Sequence, residues 1–528
     1  MVSQGSQFSV RDVEVVTAVM DLEEIRSFRG AIASRSVQAA SVAPLPRIKI
    51  KYSVTGPITS NGHTAHSPFL LPSAPMMPHL HTPEEEIGLG PACWLWDYLR
   101  RSGASGFFLP LSGGADSAAT AAIVGIMSHL VVEAIARGDE LVLADARRVA
   151  GFKKSDTSYR PTDPIEFMNR VLHTCYMGTS NSSSETNKRA ASIAREIGCY
   201  HLTVNIDTMI SAILTVFTTL TGKTPQYKVH GGSVTENLAL QNIQARMRMV
   251  FSYLLAQLLP WVRGRPGFLL VLGSANVDEA LRGYMTKYDC SSADLNPIGG
   301  IAKGDLKRFL LWASKRFPFP TLESVVRAPP TAELEPITQS YTQTDEEDMG
   351  MSYEELGIFG RLRKIYRCGP VSMYQKLVAI WGKKDPSQNP SPPPRPSIPS
   401  NASSPSSSSS SPAPFHSTPG MTPTQVAAKV QSFFYFYSVN RHKLTTLTPS
   451  YHAENYSPED NRFDLRQFLY NNSWRRQCEV MNRLVAADEA YRQAEISQRH
   501  VQANKNNKFV GGEGDTLIVR PGTSHAQL

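Results

Sequence analysis

Cysteine is scarce and scattered: the six residues Cys93, Cys175, Cys199, Cys290, Cys368 and Cys478 never form a CxxC pair in 528 residues. That spacing supports neither a disulfide framework nor a thiolate zinc knuckle, and a reducing compartment is the simpler setting. The first twenty residues carry Arg11, Asp12 and Glu14 and lack the apolar core of a signal peptide. No run reads as membrane-spanning, because the best candidate, 118–136, is interrupted by His129 and Glu133 and fits a buried helix better. The chain also lacks a lysine-rich tail and any nucleic-acid-reading motif. Its formal charge of +8 therefore points to small anions at least as well as to RNA. A Walker-type GxxxxGK[ST] loop is missing too, since Phe217 stands where the first glycine before Gly222-Lys-Thr224 would have to be, and that segment reads as a turn.

What the chain does have is a strand-to-helix junction built from glycine. Phe107, Phe108, Leu109 and Leu111 lead into Ser112-Gly-Gly-Ala-Asp-Ser117, and a low-charge helical run follows. Gly113 and Gly114 let backbone amides turn toward an anion, and the helix adds unpaired N–H groups and the positive end of its dipole. Asp116 would repel a phosphate unless a cation lay between them, so the pairing suggests a nucleotide held with Mg2+. A glycine turn with no ligand is the plain alternative.

Around this junction the pattern is α/β. Helices are predicted over 84–101, 117–136, 187–197 and 237–259, and strands over 106–111, 171–176, 200–206 and 267–272. These lengths indicate an open, mostly parallel sheet with helices on both faces, whose ligands bind beyond the strand C-termini. In the long helix, Asn242 and Arg246 fall on one face while Ile243, Met247, Val250 and Leu254 are expected inward. A dense polar stretch follows the last strand and carries Glu279, Lys287 and Lys303. Glu279 is a candidate second Mg2+ ligand, and the lysines could balance phosphate charge.

The flanks differ in character. Residues 7–10 and 13–19 read as strands and 21–26 as a capped helical turn, too small a set for a core of their own. Residues 44–83 read as a connector. His63, His66, His79 and His81 invite a metal there, but HxxH and HxH in a proline-rich loop lack a nearby carboxylate or cysteine, and a solvated connector is the better reading. Residues 385–424 hold 13 Ser and 12 Pro in 40 positions and are expected to be disordered. The aromatic cluster Phe433, Phe434, Tyr435, Phe436 and Tyr437 beyond it reads as core.

Several segments together resemble the synthetase domain of eukaryotic glutamine-dependent NAD synthetases, within the pyrophosphate-loop ATP enzymes. Ser112-Gly-Gly-Ala-Asp-Ser117 matches the SGGxDS loop of the wider group. Narrower matches are Tyr176-Met-Gly-Thr, the helix Asn237 to Arg246, Leu272-Gly-Ser-Ala-Asn-Val-Asp-Glu279, the stretch Leu281 to Pro297, Asp345-Glu-Glu-Asp-Met-Gly-Met351, and Asn440-Arg-His-Lys443 through Asp464-Leu-Arg466.

The resemblance implies adenylation of the nicotinate carboxylate of deamido-NAD by ATP, release of pyrophosphate, and attack by ammonia to give NAD and AMP. It implies that Ser112, Gly113, Gly114, Asp116 and Ser117 hold pyrophosphate, that Asp116 and Glu279 hold Mg2+, and that Asp116, Glu279 and Lys303 serve catalysis. Arg246 would lie on the substrate-side helix, and His442 and Lys443 would close toward phosphate. A cytoplasmic homo-oligomer with no nucleic-acid or membrane partner is also implied. Gly304 departs from the threonine common in relatives.

The implied domains are a glutaminase remnant at 1–43, the connector, a synthetase domain at 84–384, the insert, a second synthetase part at 425–480, and a helical then disordered tail at 481–528. The remnant resembles the end of a nitrilase-like glutaminase domain, so the chain as given is expected to use free ammonia where the family uses glutamine. Rival readings are a pyrophosphate-loop ligase with another acceptor and a catalytically inactive assembly subunit.

Overall fold

The computed structural model describes residues 1–51, 72–328, 334–336, 345–382, 420–446, 448–452 and 471–510. Its centre is a parallel sheet of four strands, β1 (Phe107–Pro110), β2 (Leu172–Gly178), β3 (Tyr200–Asn205) and β4 (Leu270–Val271), in the order β3-β2-β1-β4. Phe107 pairs with Leu172 on one side and Leu270 on the other, and His173 pairs with Tyr200. The strand predicted over 267–272 is thus shorter than expected, though Leu272 still bonds the Phe108 carbonyl at 2.8 Å.

The helix Ala115–Ala136 is the structural axis. It is long and apolar enough to cross a membrane, yet 83% of its apolar stretch is buried inside the fold, which identifies it as a core helix. The helices Pro83–Ser102, Pro164–Val171, Ser184–Ile197 and Lys303–Arg316 pack around it. The first of these starts at Thr82, whose side chain caps the Glu85 amide while Glu85 caps back, and ends at Gly103 with φ 78°. Gly198 ends Ser184–Ile197 in the same left-handed manner, as its sequence position predicts.

A second apolar core is built mostly from helices. Val277 and Leu281 meet Phe359, Trp381, Phe433, Phe434 and Tyr437 there, so three residues of the aromatic cluster are core as expected, whereas Tyr435 faces solvent. The helices Pro370–Trp381 and Pro423–Val439 flank the Ser/Pro-rich insert. Residues 383–419 lie outside the described residues, and the fold resumes at Gly420, with Pro423 already helical where the sequence reading carries the insert to Thr424. Asp464 to Arg466 and residues 511–528 are also outside the described residues.

Two expectations are corrected. Residues 7–10 and 13–19 are not strands: the backbone there is irregular, and Val13, Val15 and Val16 are exposed. Valine-rich sequence favours extended backbone, but a strand needs a neighbour to bond, and none is present among the described residues. The capped turn at Asp21 does form, opening the helix Leu22–Gly30. In the helix Val234–Val262, Val250 and Leu254 face solvent, while Gln244, Ala245, Ser252, Ala256 and Leu259 turn inward. That helix is apolar on more than one side, so periodicity alone does not select the face against the sheet.

Candidate active site

The glycine loop leaves β1 at Leu111 and enters the helix Ala115–Ala136 at the C-terminal edge of the sheet. Gly113 has φ 79°, and a Cβ there would overlap the Thr186 carbonyl oxygen at the start of the helix Ser184–Ile197. Glycine is therefore required twice, by backbone conformation and by close packing. Gly114 is the N-cap and makes no side-chain cap bond, so the first amides of the helix remain available to an anion. Ser112 and Ser117 hydroxyls meet at 3.0 Å across the loop.

A cavity of about 190 Å³ opens over this loop. Its lining includes residues 110–116, the end of β2, and the charged side chains Arg189, Arg248, Lys303, Lys307 and Asp345. Cations from three helices thus face one glycine loop.

Lys303 begins the helix Lys303–Arg316 and is only 3% exposed. Its ammonium pairs with Asp116 and lies 3.6 Å from Glu279 Oε1. Burial disfavours that charge, but Asp116 and Glu279 outweigh it and hold the lysine above its ordinary pKa. Asn276 fixes the other side of Asp116, donating from Nδ2 to Oδ1 at 3.1 Å, and caps the helix Val277–Arg282 that carries Glu279. Asp278 accepts from the Lys303 amide at 2.9 Å, tying the two helix starts together.

Three carboxylates, Asp116, Glu279 and Asp345, surround this single ammonium. Burial and then the Asp116 charge push Glu279 up to about 8, and burial raises Asp345 as well. The excess of acidic oxygens over positive charge is the donor set of a hard divalent cation, so these residues fit Mg2+.

The structure therefore brings Ser112, Gly113, Gly114, Asp116, Ser117, Glu279 and Lys303 together. The remaining candidates form a second group away from the cavity lining. Arg246 donates to the Lys287 carbonyl at 3.0 Å, and Lys443 donates to the carbonyls of Gly283 and Met285 at 2.9 and 2.8 Å. His442 is exposed nearby, its pKa lowered by partial burial and by Lys287 and Lys443. Sequence reasoning gave no role to Arg189, Lys307, Asp345 or Tyr353. Lys307 was legible as the residue one helical turn after Lys303, and Asp345 lay in a quoted motif, whereas Arg189 and Tyr353 are placed only by tertiary packing.

The glutamine-dependent NAD(+) synthetase of Arabidopsis thaliana is 52% identical over 485 residues, which cover 92% of this chain and 60% of that protein. Proteins of the same description from Saccharomyces cerevisiae and Homo sapiens are 53% and 51% identical, each over 89% of this chain and 60% of theirs. The chain thus spans about 60% of the length of the curated relatives it matches. Among solved structures, a glutamine-dependent NAD(+) synthetase from Cytophaga hutchinsonii superposes with a TM-score of 0.55 at 22% identity, covering 76% of this chain and 56% of that one, which shows a shared fold. The NAD synthase family model matches residues 91–364, more than half of the chain and the whole Asp116–Glu279–Lys303–Asp345 arrangement, so this chain belongs to the NAD synthase family.

Proposed function

We propose that the chain amidates deamido-NAD. The nicotinate carboxylate attacks the α-phosphorus of ATP, pyrophosphate leaves, ammonia attacks the acyl-adenylate carbon, and AMP leaves as NAD forms. The observation that carries this reading is the buried Lys303 ammonium held beside Asp116 at the mouth of the glycine loop. A carboxylate is a poor electrophile, and adenylation supplies it with a good leaving group. Negative charge then grows on pyrophosphate, where the loop amides, Lys303, Lys307, Arg189 and Arg248 can receive it. Asp116 and Glu279, with Asp345 beside them, would hold Mg2+. When bound, that ion neutralises phosphate charge.

Arg246, Lys287, His442 and Lys443 are assigned to the acceptor and closing side, supported by their clustering around residues 283–289. The relatives' names specify glutamine. Ammonia is the nucleophile in our reading, with residues 1–43 taken as the end of a glutaminase domain.

A homo-oligomer is supported by the exposed apolar rows of two adjacent helices, Val216, Phe217 and Leu220 on Asp207–Thr221 and Val250, Leu254 and Trp261 on Val234–Val262. Six unpaired cysteines support a reducing, cytoplasmic setting.

The test is pyrophosphate release from ATP and deamido-NAD. Asp116→Ala and Lys303→Ala should each abolish it, and an unchanged rate in either would remove that residue from the mechanism.

A further inference from the structure

We propose that His79, His81 and Glu85 form a binding site for one divalent transition-metal ion of the zinc class. It shares no residue with the phosphate cavity and follows from a different part of the fold. The sequence reading gave these histidines no carboxylate partner, although Glu85 lies only four residues after His81. The structure supplies one, because the capping turn at Thr82 folds Glu85 back over them.

One ligand atom from each of the three side chains lies within 4.8 Å of the others. The His81 Nδ1 and Glu85 Oε2 atoms are 3.3 Å apart. Neighbouring ligands of a tetrahedral zinc ion with bonds near 2.0–2.1 Å stand about 3.4 Å apart, so this pair is already at chelating separation. The His79 and His81 rings meet edge to face with centroids 4.7 Å apart. A small inward rotation of the exposed His79 completes the set, and the fourth position is left to water.

Each ligand is oriented by contacts that need no metal. The Gln4 side chain holds the His79 backbone from both sides, accepting from its amide at 2.8 Å and donating to its carbonyl at 3.0 Å. Phe8 packs against the His81 ring with centroids 5.2 Å apart. Glu85 Oε2 accepts from the Thr82 amide at 3.1 Å, which fixes the carboxylate at the helix start. The site remains reachable, with the Glu85 side chain 32% exposed. Such second contacts set ring orientation in metal centres and lower the entropy cost of binding.

The donor set selects the ion. Two imidazoles and one carboxylate suit Zn2+, Co2+, Ni2+ or Cu2+, whereas Mg2+ prefers oxygen ligands throughout. The site and the carboxylate-rich cavity therefore take different cations. Because Gln4 and Phe8 brace the two histidines, a bound ion would fasten the first ten residues onto the start of the helix Pro83–Ser102.

The test uses the full chain, stripped with a chelator and titrated with Co2+ in millimolar Mg2+. The expected result is one equivalent of Co2+ with the visible absorption of a tetrahedral centre, displaced by Zn2+. Affinity should fall about tenfold or more in His79→Ala, whose side chain is exposed, and in Glu85→Gln, which keeps an acceptor for the helix cap. His230→Ala, an exposed histidine outside the cluster, should bind as the parent does. Absence of Co2+ binding, or unchanged affinity in His79→Ala and Glu85→Gln, would overturn the proposal.

Discussion

The Tyr353 hydroxyl stands 3.0 Å from Glu279 Oε1 and also 3.0 Å from Asp345 Oδ2. One hydroxyl proton cannot be donated fully to two carboxylates. The hydroxyl can donate to only one of them at a time, and burial followed by the Asp116 charge pushes Glu279 up to about 8. Tyr353 thereby links the two carboxylates that flank Lys303.

Tyr353→Phe leaves the buried oxygens of Glu279 and Asp345 without this partner. Loss of such a bond costs about 1–3 kcal/mol. We expect a lower melting temperature and slower pyrophosphate release, with the ring's packing against Lys303 preserved. Denaturation and single-turnover assays check this, and unchanged values in both would show that the hydroxyl is dispensable.

Gly113→Ala forces a side chain into a left-handed backbone and against the Thr186 carbonyl. Misplacing a reacting group by about 1 Å costs on the order of a hundredfold in rate. Turnover with ATP should fall by about that factor, while far-UV circular dichroism stays that of the parent. Parent-like turnover would contradict the loop geometry.

The insert can be shortened without harm to the fold. Gly420 and Met421 amides each donate to the Trp381 carbonyl at 3.1 Å, so the two ends of 383–419 already meet. Loop-closure entropy changes slowly with length. Replacing 383–419 by a short Gly/Ser link should leave turnover within about twofold and the melting temperature unchanged or higher. Lost activity in a folded variant would give the insert a role beyond connection.

His173 should make the protein acid-sensitive. It is buried on β2, where Nε2 faces the Arg263 guanidinium at 2.9 Å, and burial followed by Arg263 and Arg265 lowers its pKa to about 3. As pH falls below the ordinary value near 6.5, the unfolded chain takes the proton first. Stability is therefore lost as pH falls between 6.5 and about 3, by up to about 1.4 kcal/mol per pH unit from this group. His173→Gln should show a shallower acid slope in denaturant titrations. Equal slopes would rule the histidine out.

The grouping of residues around the glycine loop was largely legible in sequence because it is local. The glycines, Asp116 and Ser117 share one strand-to-helix turn, and Glu279 follows another strand end. Gly198 and the aromatic cluster were legible for the same reason. What sequence missed at the loop depends on packing between distant segments: Tyr353 bridging Glu279 to Asp345, and Arg189 facing the loop. Glu85 closing on His81 is a local contact at four-residue spacing that the sequence reading passed over. Val250 and Leu254 on Val234–Val262 were misread as inward because apolar residues occupy more than one side, though Ile243 does pack on the core, and 13–19 was misread because strand propensity cannot create a pairing partner.

The most direct measurement is NAD formation by the purified chain given deamido-NAD, ATP, Mg2+ and ammonium, run beside an identical mixture with glutamine in place of ammonium. The account predicts NAD, AMP and pyrophosphate in equal amounts with ammonium, and loss of all three in Lys303→Ala. A folded chain that forms no NAD from ammonium would contradict it.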